Sequence, residues 1–324
     1  MRDLRLFFLR LVVIIVLAMI VTGAVFYSIE PDHSHYYQGS LLQVELLRNT
    51  ASPRIILVGG SNVAWGIDSE LMEKSLGIPV INQGLDAHLG IAPIVEMQEY
   101  IRPGDIIIIS LEYYSFANVE DFYGFPQNQA DWVELSPQRI KYLHSPALEA
   151  PAIYLIMLQR KINRRINYYL YGDSLEEVRG LYSGENFNSH GDFVGHLDTK
   201  NATKYEFPET EYPVNLLEEA FGFLVSFRQY ATARDAIVFY EAQAHRQTNC
   251  DLTGMKYFRK FYSVLQNKTK IVVLTHMNQL CLPDEYFFDT PYHLNAWGRN
   301  VRTERLIENL KKALGTKLAP QQSP

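Results

Sequence analysis

The stretch RIILVGGSNVAWGIDS, residues 54 to 69, places an apolar run directly before two glycines and a serine. Residues 55 to 58 are apolar on both faces of an extended chain, which is typical of a buried parallel strand. Glycines after such a strand permit a sharp turn, and a helix that begins there directs free backbone N–H groups toward an anion. The sequence therefore predicts Ser61 at the carboxyl edge of a sheet, as a nucleophile or as a hydroxyl in a tight turn.

Four further apolar runs have the same character, and amphipathic helical patterns separate them. The runs cover residues 78–84, 105–111, 235–242 and 270–275. Strands that alternate with helices require right-handed crossovers and a parallel sheet. We predict an α/β fold, namely a three-layer sandwich around a five-stranded parallel sheet of the flavodoxin-like type.

One long interval, residues 118–234, lacks an equally clear buried strand and is rich in tyrosine, phenylalanine, asparagine and arginine. Residues 151–172 in the middle of the interval and residues 213–235 at its end have helical patterns. We interpret the interval as a large helical insertion between the third and fourth strands. Such insertions commonly build over a substrate site, but a packed helical subdomain without a ligand role fits the sequence equally well.

The N-terminal segment predicts a membrane anchor. Seventeen uncharged residues run from Leu11 to Tyr27, with Arg2, Arg5 and Arg10 before them and acidic residues after them. With the apolar residues before Arg10 the run reaches about 22 residues, enough for a hydrocarbon core about 30 Å thick. The basic flank predicts a single-pass anchor, residues 1–30, in the cytoplasmic membrane, with residues 31–324 periplasmic or extracellular. A cleaved signal peptide is the alternative.

Composition and charge exclude several classes of partner and cofactor. The net charge is −6 and no long block of lysine and arginine is present, so nucleic acid is not an expected partner. The sequence GGSN matches neither the dinucleotide-binding nor the P-loop pattern. Cys250 and Cys281 are too far apart for a zinc motif, and an exported chain would permit a disulfide between them. We expect no metal and no cofactor.

Two later segments follow predicted strands and so emerge at the same sheet edge as Ser61. In INQGLDAHLG, residues 81 to 90, Gly84 is either a backbone N–H donor for an oxyanion or a plain turn glycine. In DEYFFDTPYHLNAWGR, residues 284 to 299, Asp289 and His293 form a possible carboxylate and base for the serine. His245 and His276 also follow strands and are further candidates.

These blocks together resemble the SGNH (GDSL-like) hydrolase superfamily. The resemblance implies Ser61 as nucleophile, Asp289 and His293 as its catalytic partners, and the backbone N–H groups of Ser61 and Gly84 as the oxyanion hole. The chain looks most similar to membrane-anchored members that act as acyl-transfer proteins on envelope polysaccharide and teichoic acid.

The sequence departs from the family pattern in two places. The family spaces its acid and base as D-x-x-H, whereas this chain has the longer DTPYH, with Asp284 as a less favoured substitute for Asp289. The family also supplies an asparagine after the third strand, where this chain has Glu112, Tyr113 and Tyr114. A tyrosine hydroxyl could donate as asparagine does, but an ionised Glu112 would oppose an oxyanion unless it is turned away or paired with a cation.

The resemblance implies a serine esterase or O-acyltransferase that acts on O-acyl groups of envelope polysaccharide or glycolipid. The alternative is a catalytically weak SGNH-like protein that binds glycan or serves as a scaffold for a membrane O-acyltransferase. Expected partners are therefore the membrane, an acylated glycan or lipid, and such an acyltransferase. Candidate substrate contacts are Asn62, Trp65, His88 and Tyr113.

Overall fold

The computed structural model describes residues 2–28, 35–171, 180–198, 216–250, 255–275 and 277–315. The helices within these residues are α1 Arg2–Ser28, α2 Gly39–Asn49, α3 Ser61–Gly66, α4 Ser69–Leu76, α5 Ala92–Gln98, α6 Val119–Tyr123, α7 Pro126–Leu135, α8 Pro146–Tyr171, α9 Glu218–Thr232, α10 Gln247–Asn249, α11 Met255–Thr269 and α12 Ala296–Gly315. The strands are β1 Ile55–Gly59, β2 Val80–Gly84, β3 Ile106–Ser110, β4 Ile237–Tyr240, β5 His245–Arg246, β6 Val272–Val273 and β7 Cys281–Leu282.

The central sheet has the strand order β2-β1-β3-β4-β6, and every neighbouring pair is parallel. Each of the five predicted apolar runs contains one of these strands, so the predicted sheet is confirmed. Strand β1 pairs with both β2 and β3, with Ile55 opposite Val80 and Ile106. Since the chain leaves β1 for one side and returns on the other, a crevice opens at the carboxyl end of β1, where Ser61 begins α3.

Helices cover both faces of the sheet, which confirms the three-layer arrangement. Ile56 and Val58 belong to a buried apolar cluster that includes residues of α5, α9 and α11. Ile55 and Leu57 point to the other face and join a cluster with residues of α4 and α12. The alternation along β1 therefore buries both of its faces, as its unbroken apolar sequence predicts.

The insertion between β3 and β4 forms α6 to α9 in its described residues, which contribute no strand to the large sheet. Asp192, fully buried, ties the insertion to the sheet domain. Its carboxylate accepts hydrogen bonds from Ser69 Oγ (2.5 Å), Asn82 Nδ2 (2.8 Å) and Arg299 Nη2 (2.8 Å). The predicted helical insertion is therefore held to the main domain by a buried, charge-assisted network.

The N-terminal helix α1 contacts α8 of the insertion. Many of its described apolar side chains are exposed, among them Ile14 at 62% and Leu17 at 55%. No helix among the residues that the structure describes combines the length and the apolarity that spanning a membrane requires.

Beyond the large sheet, β5 pairs with β7 in a separate two-stranded parallel sheet. Cys250, which follows α10, is disulfide-bonded to Cys281 in β7. The two cysteines that the sequence left unassigned are therefore a covalent link between the segments that follow β4 and β6.

Candidate active site

The turn that carries Ser61 is shaped by the residues beneath it. Gly60 directly follows β1 and has an extended backbone, and Ser61 is the first residue of α3. A Cβ atom on Gly60 would lie 2.3 Å from Glu112 Oε1 and 2.7 Å from the Cβ of Ala87. Only glycine fits at this position. Because glycine has no side chain, the loops that follow β2 and β3 can approach the serine closely.

His293 and Asp289 form the pair that the sequence predicted. His293 Nδ1 lies 2.8 Å from Asp289 Oδ1, and Tyr182 donates its hydroxyl hydrogen to Asp289 Oδ2. Burial opposes ionisation of the Asp289 carboxyl, but the hydrogen bonds from His293 and Tyr182 outweigh it and hold the pKa below its usual value. Asp289 is therefore a charged hydrogen-bond acceptor that orients the imidazole and leaves its Nε2 for another group.

Asp284, the less favoured substitute, lies elsewhere. Its carboxylate accepts a hydrogen bond from Thr248 and lies 3.6 Å from Arg246 Nη2. The longer spacing of DTPYH therefore still brings Asp289 to the histidine, and Asp284 has a separate structural role.

Trp65 holds the imidazole from below. Its ring is fully buried and stacks on His293 at a centroid distance of 4.0 Å and an angle of 7°. The Trp65 ring also stacks on Phe193 at a centroid distance of 4.3 Å, and its Nε1–H donates to the hydroxyl oxygen of Tyr36 at 3.2 Å. Trp65, which the sequence predicted as a substrate contact, thus fixes the plane of the His293 imidazole.

Ser61 and His293 line one cavity of about 800 Å³ at the carboxyl end of β1. The wall is predominantly aromatic, and none of its described lining residues is a lysine or arginine. The lining residues are His35, Tyr36, Tyr37, Ser61, Trp65, Leu85, Asp86, His88, Tyr114, Tyr182, Thr290, Pro291, Tyr292 and His293. Tyr182 is the contribution of the described part of the insertion, so the insertion both packs on the main domain and reaches the site.

The predicted oxyanion role of Gly84 is not supported. Gly84 is buried at the end of β2, and its N–H donates to Asn82 Oδ1 at 2.8 Å. A Cβ there would lie 2.4 Å from the backbone nitrogen of Ala64, so this glycine serves close packing of β2 against α3. Ala87, the first residue of the 3₁₀ turn Ala87–Leu89, is the residue of this loop that lies against Gly60.

Two of the four predicted substrate contacts are structural residues. Asn62 is 1% exposed, and its side chain donates to Ser110 O at 3.0 Å and to Glu112 Oε1 at 2.8 Å. Tyr113 is also buried, with its ring against Phe258. Because the chain turns after β3, Tyr114 rather than Tyr113 reaches the cavity wall.

Glu112 follows β3, where the resemblance to SGNH hydrolases implies an asparagine, and it lies directly beneath Gly60. Its Oε2 is buried without a hydrogen-bond partner within the described structure. Burial raises the pKa of this carboxyl, against the lowering effect of the hydrogen bond from Asn62. The raised pKa favours the neutral acid, which adds no negative charge beside Ser61.

Below Glu112 lies a buried guanidinium. Arg302 of α12 donates to Asn62 O at 2.6 Å and to Ser110 Oγ at 3.0 Å. Glu241, after β4, is buried nearby, and burial raises its pKa to about 7 although Arg302 lowers it. The serine turn therefore rests on a charged network that the sequence did not indicate.

The other histidine candidates differ in their position relative to the cavity. His88 lines the cavity and its Nδ1 lies 2.9 Å from Asp86 Oδ1. His245 is buried against Tyr113 and Phe258, and burial lowers its pKa to about 3, so it is not a base at the cavity. His276 lies outside the described residues. The D-x-H spacing of Asp86 and His88 was visible in the sequence, but their pairing was not predicted.

Within the described part of the chain, no group of three or more histidine, cysteine, aspartate or glutamate side chains is arranged to hold a metal ion. The chemistry available at the cavity from these residues is that of a hydroxyl, imidazoles, carboxylates and phenols.

Comparison with known proteins adds little to this geometry. No family model matches the chain, and no curated protein matches it. A solved structure, protein YxiM from Bacillus subtilis, is similar with a TM-score of 0.37 and 13% sequence identity. The similarity covers 83% of this chain and 58% of YxiM, so this chain spans less than two thirds of that protein's length. The case for a function therefore rests on the residues around Ser61.

Proposed function

We propose that this protein is a membrane-anchored, extracytoplasmic serine esterase or O-acyltransferase of the SGNH type, acting on O-acyl groups of envelope polysaccharide or glycolipid. The observation that carries the proposal is the hydrogen-bonded pair of His293 and Asp289 at the cavity that Ser61 also lines. A serine at a helix start, a histidine with one ring nitrogen held by a carboxylate, and a shared cavity are the parts that nucleophilic acyl transfer needs.

In the proposed reaction, His293 Nε2 takes the proton of Ser61 Oγ as that oxygen attacks the ester carbonyl carbon. Asp289 keeps the imidazole in the tautomer that accepts this proton and stabilises the imidazolium that forms. The oxyanion meets the N–H groups of Ser61 and Ala87, which begin α3 and the adjoining 3₁₀ turn and have no partner inside those helices. Burial raises the pKa of Glu112, which reduces the opposing charge in this region.

The wall of the cavity supports a sugar-containing substrate. Aromatic faces pack on the apolar faces of sugar rings, and the cavity wall presents five tyrosine rings. The five tyrosines are Tyr36, Tyr37, Tyr114, Tyr182 and Tyr292. A volume of about 800 Å³ is within the range of small-molecule sites and suits one or two sugar units with an acyl group.

One observation favours the alternative, a catalytically weak protein that binds glycan or supports a membrane acyltransferase. The place of the third oxyanion donor is taken by Glu112, whose Oε2 is buried and faces Gly60. If this carboxyl were ionised, it would oppose the transition state.

Labelling with a fluorophosphonate probe separates the two functions. We expect the full-length, detergent-solubilised protein to form a covalent adduct at Ser61, because the probe reports an activated serine. Intact-mass spectrometry would measure the adduct, and Ser61→Ala should abolish it. The matched control is Ser115→Ala, since Ser115 is a buried serine that does not line the cavity. A wild-type protein that stays unlabelled while folded would favour the scaffold function.

Membrane attachment through α1 is part of the proposal and has its own test. It is supported by the sequence of the segment and by the exposed apolar side chains of α1. We expect the full chain to stay in the membrane pellet after alkaline carbonate extraction. The variant Ile14→Arg with Leu17→Arg should move to the supernatant, since each arginine costs about 3 kcal/mol at the bilayer centre. Extraction of the wild-type chain by carbonate would contradict the anchor.

A further inference from the structure

The cavity contains a second histidine that is held in the same way as His293. His88 Nδ1 lies 2.9 Å from Asp86 Oδ1, and Tyr37 donates its hydroxyl hydrogen to Asp86 Oδ2. Asn128 Nδ2 donates to the same Asp86 oxygen at 3.2 Å. Around His293 the partners are likewise an aspartate on Nδ1 and a tyrosine on the far carboxylate oxygen. The site therefore holds two arrays of histidine, aspartate and tyrosine, each with its Nε2 left for substrate.

The second array lies next to the serine turn. Ala87 and Gly60 are in direct contact, and His88 and Ser61 are the residues that immediately follow them. Both His88 and Ser61 line the cavity, and the side chain of His88 is 54% exposed. A substrate bound at Ser61 is thus within reach of the His88 imidazole.

Activation of Ser61 requires only one of the two histidines. Acyl transfer between two alcohols moves a second proton, because the first alcohol must leave as a neutral hydroxyl and the second must lose its proton as it attacks. No lysine or arginine is found among the described residues that line the cavity. The histidines are therefore the cavity groups suited to carry protons near neutral pH.

We propose that His88, oriented by Asp86, is the acid–base residue for the donor and acceptor hydroxyl groups, while His293 serves the hydroxyl of Ser61. This inference rests on the proposed function and extends it: the substrates are esters of poor, alkyl-type leaving groups such as sugar hydroxyls, and the acceptor is a second hydroxyl.

The proton transfers balance over one cycle. In acylation, Ser61 Oγ gives its proton to His293 and bonds to the carbonyl carbon, and the ester C–O bond breaks as His88 imidazolium protonates the departing oxygen. In deacylation, the acceptor hydroxyl gives its proton to His88 and bonds to the same carbon, and the Ser61 C–O bond breaks as His293 imidazolium protonates Oγ. Both histidines return to their starting states, and no other reactant is needed.

The electrostatics favour the starting state that this cycle requires. The hydrogen bond to Asp86 raises the pKa of His88 although partial burial lowers it, and the negative charges of Asp86 and Asp121 add to the increase. The pKa of Asp86 lies below its usual value, since the hydrogen bonds from His88 and Tyr37 outweigh its burial. An imidazolium at His88 is the form that protonates a leaving group.

The test is the dependence of turnover on the leaving group. A series of acetate esters, from p-nitrophenyl acetate through phenyl acetate to ethyl acetate, would be assayed with wild type, His88→Gln and Asp86→Asn. The esters are compared by kcat/KM, which reports acylation of Ser61, because His88 also serves the deacylation step that all of them share. p-Nitrophenolate leaves without a proton, so kcat/KM for its ester should be almost the same in His88→Gln as in wild type. For ethyl acetate kcat/KM should fall about 100-fold or more, as expected for the removal of a general acid. Asp86→Asn should lie between the two.

The matched control is His35→Gln. His35 also lines the cavity, but its Nδ1 accepts a backbone hydrogen bond from Tyr37 and its Nε2 lies 3.8 Å from Asp131. This variant should keep the wild-type dependence on the leaving group. Equal losses of kcat/KM on all esters in His88→Gln, or no loss on any, would overturn the role of His88. Absence of Ser61-dependent turnover in the wild type would instead overturn the proposed function itself.

Discussion

Replacing His293 with alanine is expected to lower the Ser61-dependent turnover of p-nitrophenyl acetate by about 10,000-fold. In the proposed reaction His293 is the base that takes the serine proton, and its orientation is set by the 2.8 Å contact with Asp289 and by stacking on Trp65. Without the imidazole, Ser61 remains an ordinary alcohol. The loss should appear in kcat rather than in KM, because binding of p-nitrophenyl acetate depends little on the His293 imidazole.

Asp289→Asn provides a graded companion to this experiment. The amide keeps the size of the carboxyl but cannot stabilise the imidazolium, so turnover should fall almost as far. Tyr182→Phe, which removes only the donor to Asp289, should cost about tenfold. The control is His190→Gln, since His190 lies beside Glu73 and does not line the cavity. A folded His293→Ala protein with near wild-type turnover would show that the serine is activated by another group.

Replacing Arg302 with methionine is expected to destabilise the protein by about 3 to 5 kcal/mol, the usual cost of removing one partner from a buried charged network. Arg302 is fully buried and donates to Asn62, Ser110 and the carbonyl of Ala242. Methionine fills a similar volume but donates nothing. The oxygen atoms that accept from Arg302 would then each lose a buried donor, and the positive charge that lowers the pKa of Glu241 would be removed.

The same substitution should also lower turnover, because Asn62 follows Ser61 directly and Arg302 holds both its carbonyl and its side chain. Urea unfolding followed by circular dichroism would measure the stability, and p-nitrophenyl acetate the activity. Lys312→Met on the same helix is the control: Lys312 is exposed and pairs with Glu308, so little change is expected. An unchanged unfolding midpoint in Arg302→Met would show that the buried network contributes no stability.

The sheet could be predicted because burial on two faces demands an uninterrupted apolar run. Each of the five runs, from residues 54–60 to residues 270–275, contains a strand of the parallel sheet. Strand and turn preferences act over a few residues, so they can be recognised in a single sequence. Ser61 at the end of the first strand follows from the same local pattern.

The pairing of Asp289 with His293 was also predictable, since only three residues lie between them in one loop. The donor to Asp289 was not, because Tyr182 lies 107 residues away in the insertion. The resemblance to a family placed an N–H donor at Gly84, but the side chain of Asn82 already accepts that hydrogen. A sequence motif identifies the glycine that follows a strand, but it does not show in which direction the N–H of that glycine points.

The sequence by itself determined the layers, the strand positions, the serine at the sheet edge and the acid–base pair in the last loop, because each depends on neighbouring residues. Only the tertiary structure decided that Glu112 and Arg302 lie beneath the serine, that Tyr113 is buried while Tyr114 faces the cavity, and that His88 joins His293 at one site. Those relations depend on which loops the crossovers bring to the end of β1. Hydrogen-bond partners separated by tens to hundreds of residues are chosen by chain topology, which no short stretch of sequence encodes.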